Sequence, residues 1–187
     1  DNNIILKHEK TRKVKEDDRT NHIVTTETQT GVVFLTYRGV DSVNEVVNST
    51  IAKEKPPYEF TAPDSIKHTI WVVPEKYNEI IEREIKKVEK LYIADGHHRA
   101  ASASRARKVM QDKNPRHTGN EEYNFFIGVL FPAEQLAILP YNRVVYDLNG
   151  LTREDFFTKI SEHFSIEETY DPNPSTKRTY CMYIDNV

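Results

Sequence analysis

Disulfide chemistry is absent from this chain. Its 187 residues include a single cysteine, Cys181, so no intrachain bridge can form, and a reducing, cytoplasmic setting is the expectation. That cysteine sits in the alternating run Tyr180-Cys181-Met182-Tyr183-Ile184, which reads as a strand with Cys181 buried rather than as a nucleophile. Long hydrophobic runs are missing too. None approaches the roughly 20 apolar residues that a bilayer-spanning helix needs, and no signal-peptide pattern opens the chain. No excess of positive charge exists: 26 Lys and Arg face 29 Asp and Glu, a formal charge of −3. No stripe of basic residues interleaved with aromatics appears either, so neither nucleic acid nor a membrane is an expected partner. No Cys or His pairs stand at zinc-binding spacing, and neither zinc nor haem is expected. Internal repeats and low-complexity stretches are lacking as well.

What remains is the composition of a globular protein, with 37% hydrophobic residues. A chain of this length forms one large domain or two small ones and buries about 70% of its unfolded surface. Both ends look cut. Asp1 is not an initiator methionine, Asn2-Asn3-Ile4-Ile5-Leu6 begins as if a strand were under way, and Tyr180 to Ile184 stops without a closing element. The chain therefore reads as a piece of a longer protein.

Strands and helices alternate along it. Val32 to Tyr37 is a short β-branched, apolar run of the kind found in buried strands. Ser42-Val43-Asn44-Glu45 has capping-box spacing, and Val43, Val46, Val47 and Ile51 form a helical stripe. Lys55-Pro56-Pro57 ends that helix and opens a loop. Thr69 to Val73 reads as a strand, with Pro74 at a favourable helix start. Tyr77, Ile81, Ile85 and Val88 then line one face of a charged helix, whose run Glu82 to Lys90 is its solvated side. Leu91 to Ala94 ends a buried strand, and Ala100 to Ser104 lies in the first turns of a helix. Asn124 to Phe131, Gln135 to Leu139 and Arg143 to Asp147 read as strands. Thr152-Arg153-Glu154-Asp155 is a helix start, with Phe156, Phe157, Ile160 and Phe164 packing inward. Asp171-Pro172-Asn173-Pro174 makes a turn. This is a mixed α/β (α+β) pattern, with a core over residues 1–150 and the start of a small C-terminal α+β subdomain over 151–187.

The most chemical stretch is Asp95-Gly96-His97-His98-Arg99. It falls where a strand passes into a helix, so free backbone N–H groups and the positive end of a helix dipole converge on it. Such a turn attracts phosphate. Gly96 permits a turn or a close backbone approach, and Arg99 offers a fork for phosphate or carboxylate oxygens. Three plainer roles compete: Asp95 as a helix cap, the histidines as partners of backbone carbonyls, and the His-His pair as a metal site. Adjacent residues on a turn seldom both reach one metal.

A second cluster runs from Lys7-His8-Glu9-Lys10-Thr11-Arg12 through Lys15-Glu16-Asp17-Asp18-Arg19 to His22. Glu9 suits a general base. His8, Arg12 and Arg19 suit phosphate binding or neutralisation of charge in a transition state, and Asp17 or Asp18 suits Mg²⁺, which prefers oxygen ligands. Dense mixed charge is also what an ordinary solvated helix or loop carries.

The Lys7-to-His22 pattern, Val33-Phe34-Leu35-Thr36-Tyr37, Tyr92-Ile93-Ala94-Asp95-Gly96-His97-His98-Arg99, and the run from Leu139 through Arg143 to Gly150 together resemble the domain of unknown function 1015 family, in the same order and over most of the chain. Members run to about twice this length. The Asp-Gly-His-His-Arg turn in turn resembles the phosphate-binding turn of ParB and sulfiredoxin-like nucleotide-binding domains, a group that includes free serine kinases. That resemblance implies a ParB/sulfiredoxin-like core and a phosphotransferase using ADP or ATP with Mg²⁺ to phosphorylate a small hydroxyl compound, most naturally L-serine. The alternative is a nucleotide- or phosphate-binding regulatory module without catalysis. Glu9, with His8 beside it, takes the catalytic place. Asp95, Gly96, His97, His98 and Arg99, joined by Arg12, Arg19 and Arg143, bind nucleotide phosphate, and Asp18 holds the metal. Sulfiredoxin chemistry needs a cysteine at this turn, where the chain has histidines.

Overall fold

A computed structural model of the protein describes residues 3–184. The chain divides into two compact units at Ala137 and Ile138; the sequence pattern places the change near residue 150. The first unit is built on a four-stranded mixed sheet. Its strands are β1 (Ile5–Leu6), β2 (Val33–Tyr37), β5 (Leu91–Asp95) and β6 (Gly128–Pro132), in the order β1-β5-β2-β6. β1 runs parallel to β5, β5 antiparallel to β2, and β2 parallel to β6. A separate hairpin pairs β3 (Tyr58–Thr61) with β4 (Lys67–Ile70). The helices are α1 (Lys13–Thr26), α2 (Asp41–Lys53), α3 (Asn78–Lys86) and α4 (His97–Lys113). This is an α+β fold.

β2 is the centre of the sheet. Alternate residues Val33, Leu35 and Tyr37 are buried, as the two-residue period of a half-buried strand requires. Val33 and Leu35 form a core with Ile93, to which Leu91, Ala100 and Phe126 add. Burial pushes the Tyr37 phenol up, helped by the Glu134 carboxylate. On α2 the buried face is Val43, Val46 and Thr50, while Val47 and Ile51 are exposed. Its N-cap is Val40 rather than Ser42, and no side chain caps it. On α4, Ser102, Ala103 and Ala106 are buried. These small side chains let α1 lie close against the helix, and the Ser102 hydroxyl donates to the Glu16 carbonyl at 3.3 Å. That pairing places the first half of α1 beside the first turns of α4.

Several sequence expectations change here. Glu122–Asn124 is a 3-10 turn, so the strand read from Asn124 begins only at Gly128. Asn124 is committed to side-chain bonds, with Nδ2 donating to Glu121 and Oδ1 accepting from Arg107. β3 and its pairing with β4 are additions to the sequence reading. The hairpin turn is closed by Ala62 N–H on the Ile66 carbonyl and by the Asp64 carboxylate accepting Ile66 N–H. The strand expected over Thr69 to Val73 is β4, beginning at Lys67 and ending at Ile70. Most of the charged run is solvated, but α3 ends at Lys86, and Glu84, only 14% exposed, pairs with Arg83 and Lys87 while Lys86 pairs with Glu82.

The second unit contains α5 (Arg153–Ser161). The Thr152 hydroxyl caps it by accepting Asp155 N–H at 3.1 Å, and Phe156, Phe157 and Ile160 are half-buried along it. Phe164 remains exposed, edge-on to Tyr180. The segments 136–147 and 180–184 are not strands. Their β-forming residues Ile138, Leu139, Val144, Val145 and Tyr146 are exposed, and β propensity yields a strand only where a partner strand and a buried face exist. Cys181 is likewise exposed rather than buried. Among the described residues, no helix is long and apolar enough to cross a membrane.

Candidate functional site: the strand-helix turn at Gly96

β5 passes into α4 through one residue. Gly96 adopts φ 97°, a left-handed conformation that costs a residue with a Cβ but not glycine. It is the N-cap of α4, and no side chain caps the helix. The first-turn N–H groups are therefore not claimed by a capping oxygen, although Gly96 and His97 at this end of the 17-residue helix are buried. Asp95, a capping candidate from sequence, binds elsewhere: its Oδ2 accepts from Arg99 Nη2 at 2.8 Å. That bond, helped by the Gly96 N–H, holds the Asp95 carboxyl below its ordinary range.

Arg99 is held by close approach. A methyl group at Gly31 would stand 2.8 Å from Arg99 Cδ, and one at Gly96 would stand 3.0 Å from its Nε and Nη2. The guanidinium is thus threaded between two glycines. Its Nε is buried without a hydrogen-bond partner, an unusual state for an arginine donor.

The two histidines bind the N-terminal segment. His97 Nε2 accepts the backbone N–H of His8 at 3.4 Å, and His98 Nε2 accepts that of Arg12 at 3.0 Å. Each ring therefore offers a lone pair at Nε2 and carries its hydrogen at Nδ1. The His8 ring stands edge-on to His97, with centroids 4.5 Å apart. His97 is buried, and its Nδ1 faces Glu9 Oε2 at 3.7 Å, while the Glu9 side chain is 64% exposed. Burial and the neighbouring His8 lower the His97 pKa, with Glu9 and Asp95 acting in the opposite sense. The loop carrying Glu9 is fixed again where α1 begins. Thr11 Oγ1 donates to Glu16 Oε1, and Arg105 of α4 bridges Glu16 and Asp17 at 3.2 and 2.5 Å. The Thr11 hydrogen bond, then Arg105, keeps Glu16 below the usual carboxylate range.

A cleft of about 470 Å³ opens on the Arg99 side of the turn, lined by Asp18, Arg19 and His22 of α1, the Gln29-Thr30-Gly31 loop, and Arg99. The side chains of Asp18, Arg19 and His22 make no ion pair or hydrogen bond among the described residues. Of the residues singled out from sequence, His8, Glu9 and Arg12 meet His97 and His98, and Asp18 and Arg19 meet Arg99. Arg12 takes part through its backbone, at the N-cap of α1. Arg143 lies in the second unit, its guanidinium 5.2 Å above the Tyr141 ring. Gly31, Gln29, Thr30 and Ser102 escaped sequence reasoning. His22 stood in the second charged cluster but was given no role from sequence. Gly31 carries no local signal, since its role is set by an arginine far along the chain. No group of three or more His, Cys, Asp or Glu that could hold a metal occurs among the described residues. A lone carboxylate such as Asp18 still suits Mg²⁺, which keeps several waters and takes most other ligands from phosphate.

The fold and this turn define an α+β protein with a preformed, uncapped strand-helix junction. The model of the family described as Protein of unknown function (DUF1015) matches residues 1–187, and the chain belongs to that family. No curated protein and no solved structure matches it.

Proposed function

We propose that the chain is a phosphotransferase that moves a phosphoryl group from ADP or ATP to the hydroxyl of a small acceptor, with free L-serine as the leading candidate. One observation carries this reading: His97 and His98 tie the loop bearing Glu9 directly onto the uncapped N-terminus of α4. In this reading the anion site and the carboxylate base share one junction. Phosphoryl transfer asks for little more than such positioning and charge neutralisation.

In this reading the first-turn N–H groups of His97, His98 and Arg99 and the Arg99 guanidinium hold phosphate oxygens, and Arg19 adds charge from the cleft. Arg12 is a further cationic candidate. Asp18 would hold Mg²⁺, which would neutralise charge on the phosphates. The acceptor oxygen attacks the terminal phosphorus, the bond to the departing nucleotide phosphate breaks, and the acceptor proton passes to Glu9, with His8 and His97 beside it. The products are the phosphorylated acceptor and AMP or ADP. The ParB/sulfiredoxin-like relation of the core belongs to the same proposal, as does a cytoplasmic location.

The test is incubation with ADP or ATP, Mg²⁺ and L-serine, with phosphoserine read by mass spectrometry. Phosphoserine that disappears in Glu9→Gln supports the proposal. Nucleotide binding without any phosphorylated product would instead favour a regulatory nucleotide-binding module.

A further inference from the structure

We propose that His97 and His98 are positioning residues that clamp the Glu9 loop onto the strand-helix turn only while both imidazoles are neutral, so that the site assembles near neutral pH and opens on acidification. As regulation of catalysis this rests on the phosphotransferase reading; the opening itself does not.

The geometry is specific. Two adjacent side chains at the start of α4 accept two backbone N–H groups, from His8 and Arg12, and these bonds bracket Glu9. Both use Nε2. Protonating either ring places a hydrogen there, so an N–H would point at an N–H, and the acceptor is lost. No other hydrogen bond of those two backbone donors is present among the described residues. The surroundings of His97 decide how readily it takes a proton. His97 is buried and faces His8 and Glu9 from the loop, Asp95 from β5 and His98 on its own helix. Burial, with His8 and His98, disfavours the imidazolium, whereas the Glu9 and Asp95 carboxylates favour it. His98 is half-buried and faces the Glu16 carboxylate of α1 as well as the Arg12 backbone. Once the clamp is released, Thr11–Glu16 and the Arg105 bridge still hold the start of α1. The release is therefore confined to the segment from His8 to the Arg12 amide.

Amide hydrogen exchange followed by NMR on the ligand-free protein tests this, using protection factors so that the intrinsic pH dependence of exchange cancels. Nitrogen-15 imidazole shifts should give the Nδ1–H tautomer for both rings at about pH 8, and protection of the His8 and Arg12 amides should fall about tenfold toward about pH 5. In His98→Gln, whose amide oxygen accepts but does not titrate, the Arg12 amide should stay protected at both pH values while that of His8 still opens. In His98→Ala the Arg12 amide should be open throughout. Unchanged protection in the wild-type protein across the histidine range would overturn the proposal. So would an Arg12 amide in His98→Gln that opens on acidification as in the wild type. These readouts need neither nucleotide nor turnover: a pH-dependent clamp in a protein that forms no phosphoserine supports the clamp and removes the catalytic reading alone.

Discussion

Arg99 passes so close to Gly31 that a methyl group there would meet its Cδ at 2.8 Å. The loop before β2 thus fixes a side chain on the first turn of α4, and the position of this guanidinium depends on a residue 68 positions earlier in the chain. Gly31→Ala should push Arg99 out of place and weaken binding of inorganic phosphate or ADP several-fold, with far-ultraviolet circular dichroism unchanged. Calorimetric titration measures it. Wild-type affinity in Gly31→Ala would mean that Arg99 does not bind the anion from this position.

Glu9 is exposed and faces His97 Nδ1 at 3.7 Å, a geometry that suits proton acceptance better than structural support. Glu9→Gln keeps the size and polarity of the side chain and removes its basicity. Turnover should be lost while nucleotide affinity stays within about twofold, because an exposed side chain outside the anion-binding turn adds little to ground-state binding. An active Glu9→Gln protein would remove Glu9 as the base.

Stability should depend on pH through His97. Its folded pKa lies below the ordinary 6.5, chiefly through burial and then through His8. The unfolded chain therefore takes up the proton first as the pH falls. The contribution is fully present above 6.5 and is lost as the pH drops through the folded value. Glu16 and Asp95, both lowered, lose theirs only below their ordinary values of 4.5 and 3.8. Glu121 also begins to lose its contribution below 4.5 and finishes only toward about 2, because its desolvation is outweighed by the Thr118, Glu121 and Gly119 N–H groups and the Thr118 hydroxyl. Urea midpoints collected across these windows should fall first in the histidine window. A His97→Gln protein that folds should show a smaller first step. A midpoint that rises on acidification from neutrality would contradict the assignment.

The core of β2 gives a simpler expectation. Leu35 is 4% exposed and packs with Val33 and Ile93. Leu35→Ala should cost about 2–5 kcal/mol, the usual range for a leucine removed from a packed core. Urea denaturation measures it, and a loss well under 1 kcal/mol would mean that the sheet is held elsewhere.

Much of the fold was legible because its signals are local. The period of two at Val33, Leu35 and Tyr37, the stripe through Val43 and Val46, and the Thr152–Asp155 cap each depend on residues a few positions apart. The first strand of the hairpin, β3, was hidden behind Pro56 and Pro57, which end a helix but do not specify the next element. The segments read as strands after Gln135 had the composition of strands but no partner to pair with. In the candidate site, sequence pattern singled out Glu9, Arg19 and the turn from Asp95 to Arg99, but not how they meet. The bonds from His97 and His98 to the N-terminal loop span 89 and 86 residues, and they reach backbone N–H groups, which carry no residue identity. No periodicity or spacing rule reports such contacts.

The central claim is that one junction both binds the nucleotide phosphate and presents the base. The most direct measurement is a paired one: ADP affinity by calorimetry and phosphoserine formation by mass spectrometry, on the wild type, Arg99→Ala and Glu9→Gln. A lost charge-assisted bond is worth about 1.5–3 kcal/mol, so Arg99→Ala should bind ADP at least about tenfold more weakly, whereas Glu9→Gln should bind it normally and form no product. Equal ADP affinity in the wild type and Arg99→Ala, or phosphoserine formation undiminished in Glu9→Gln, would contradict the account.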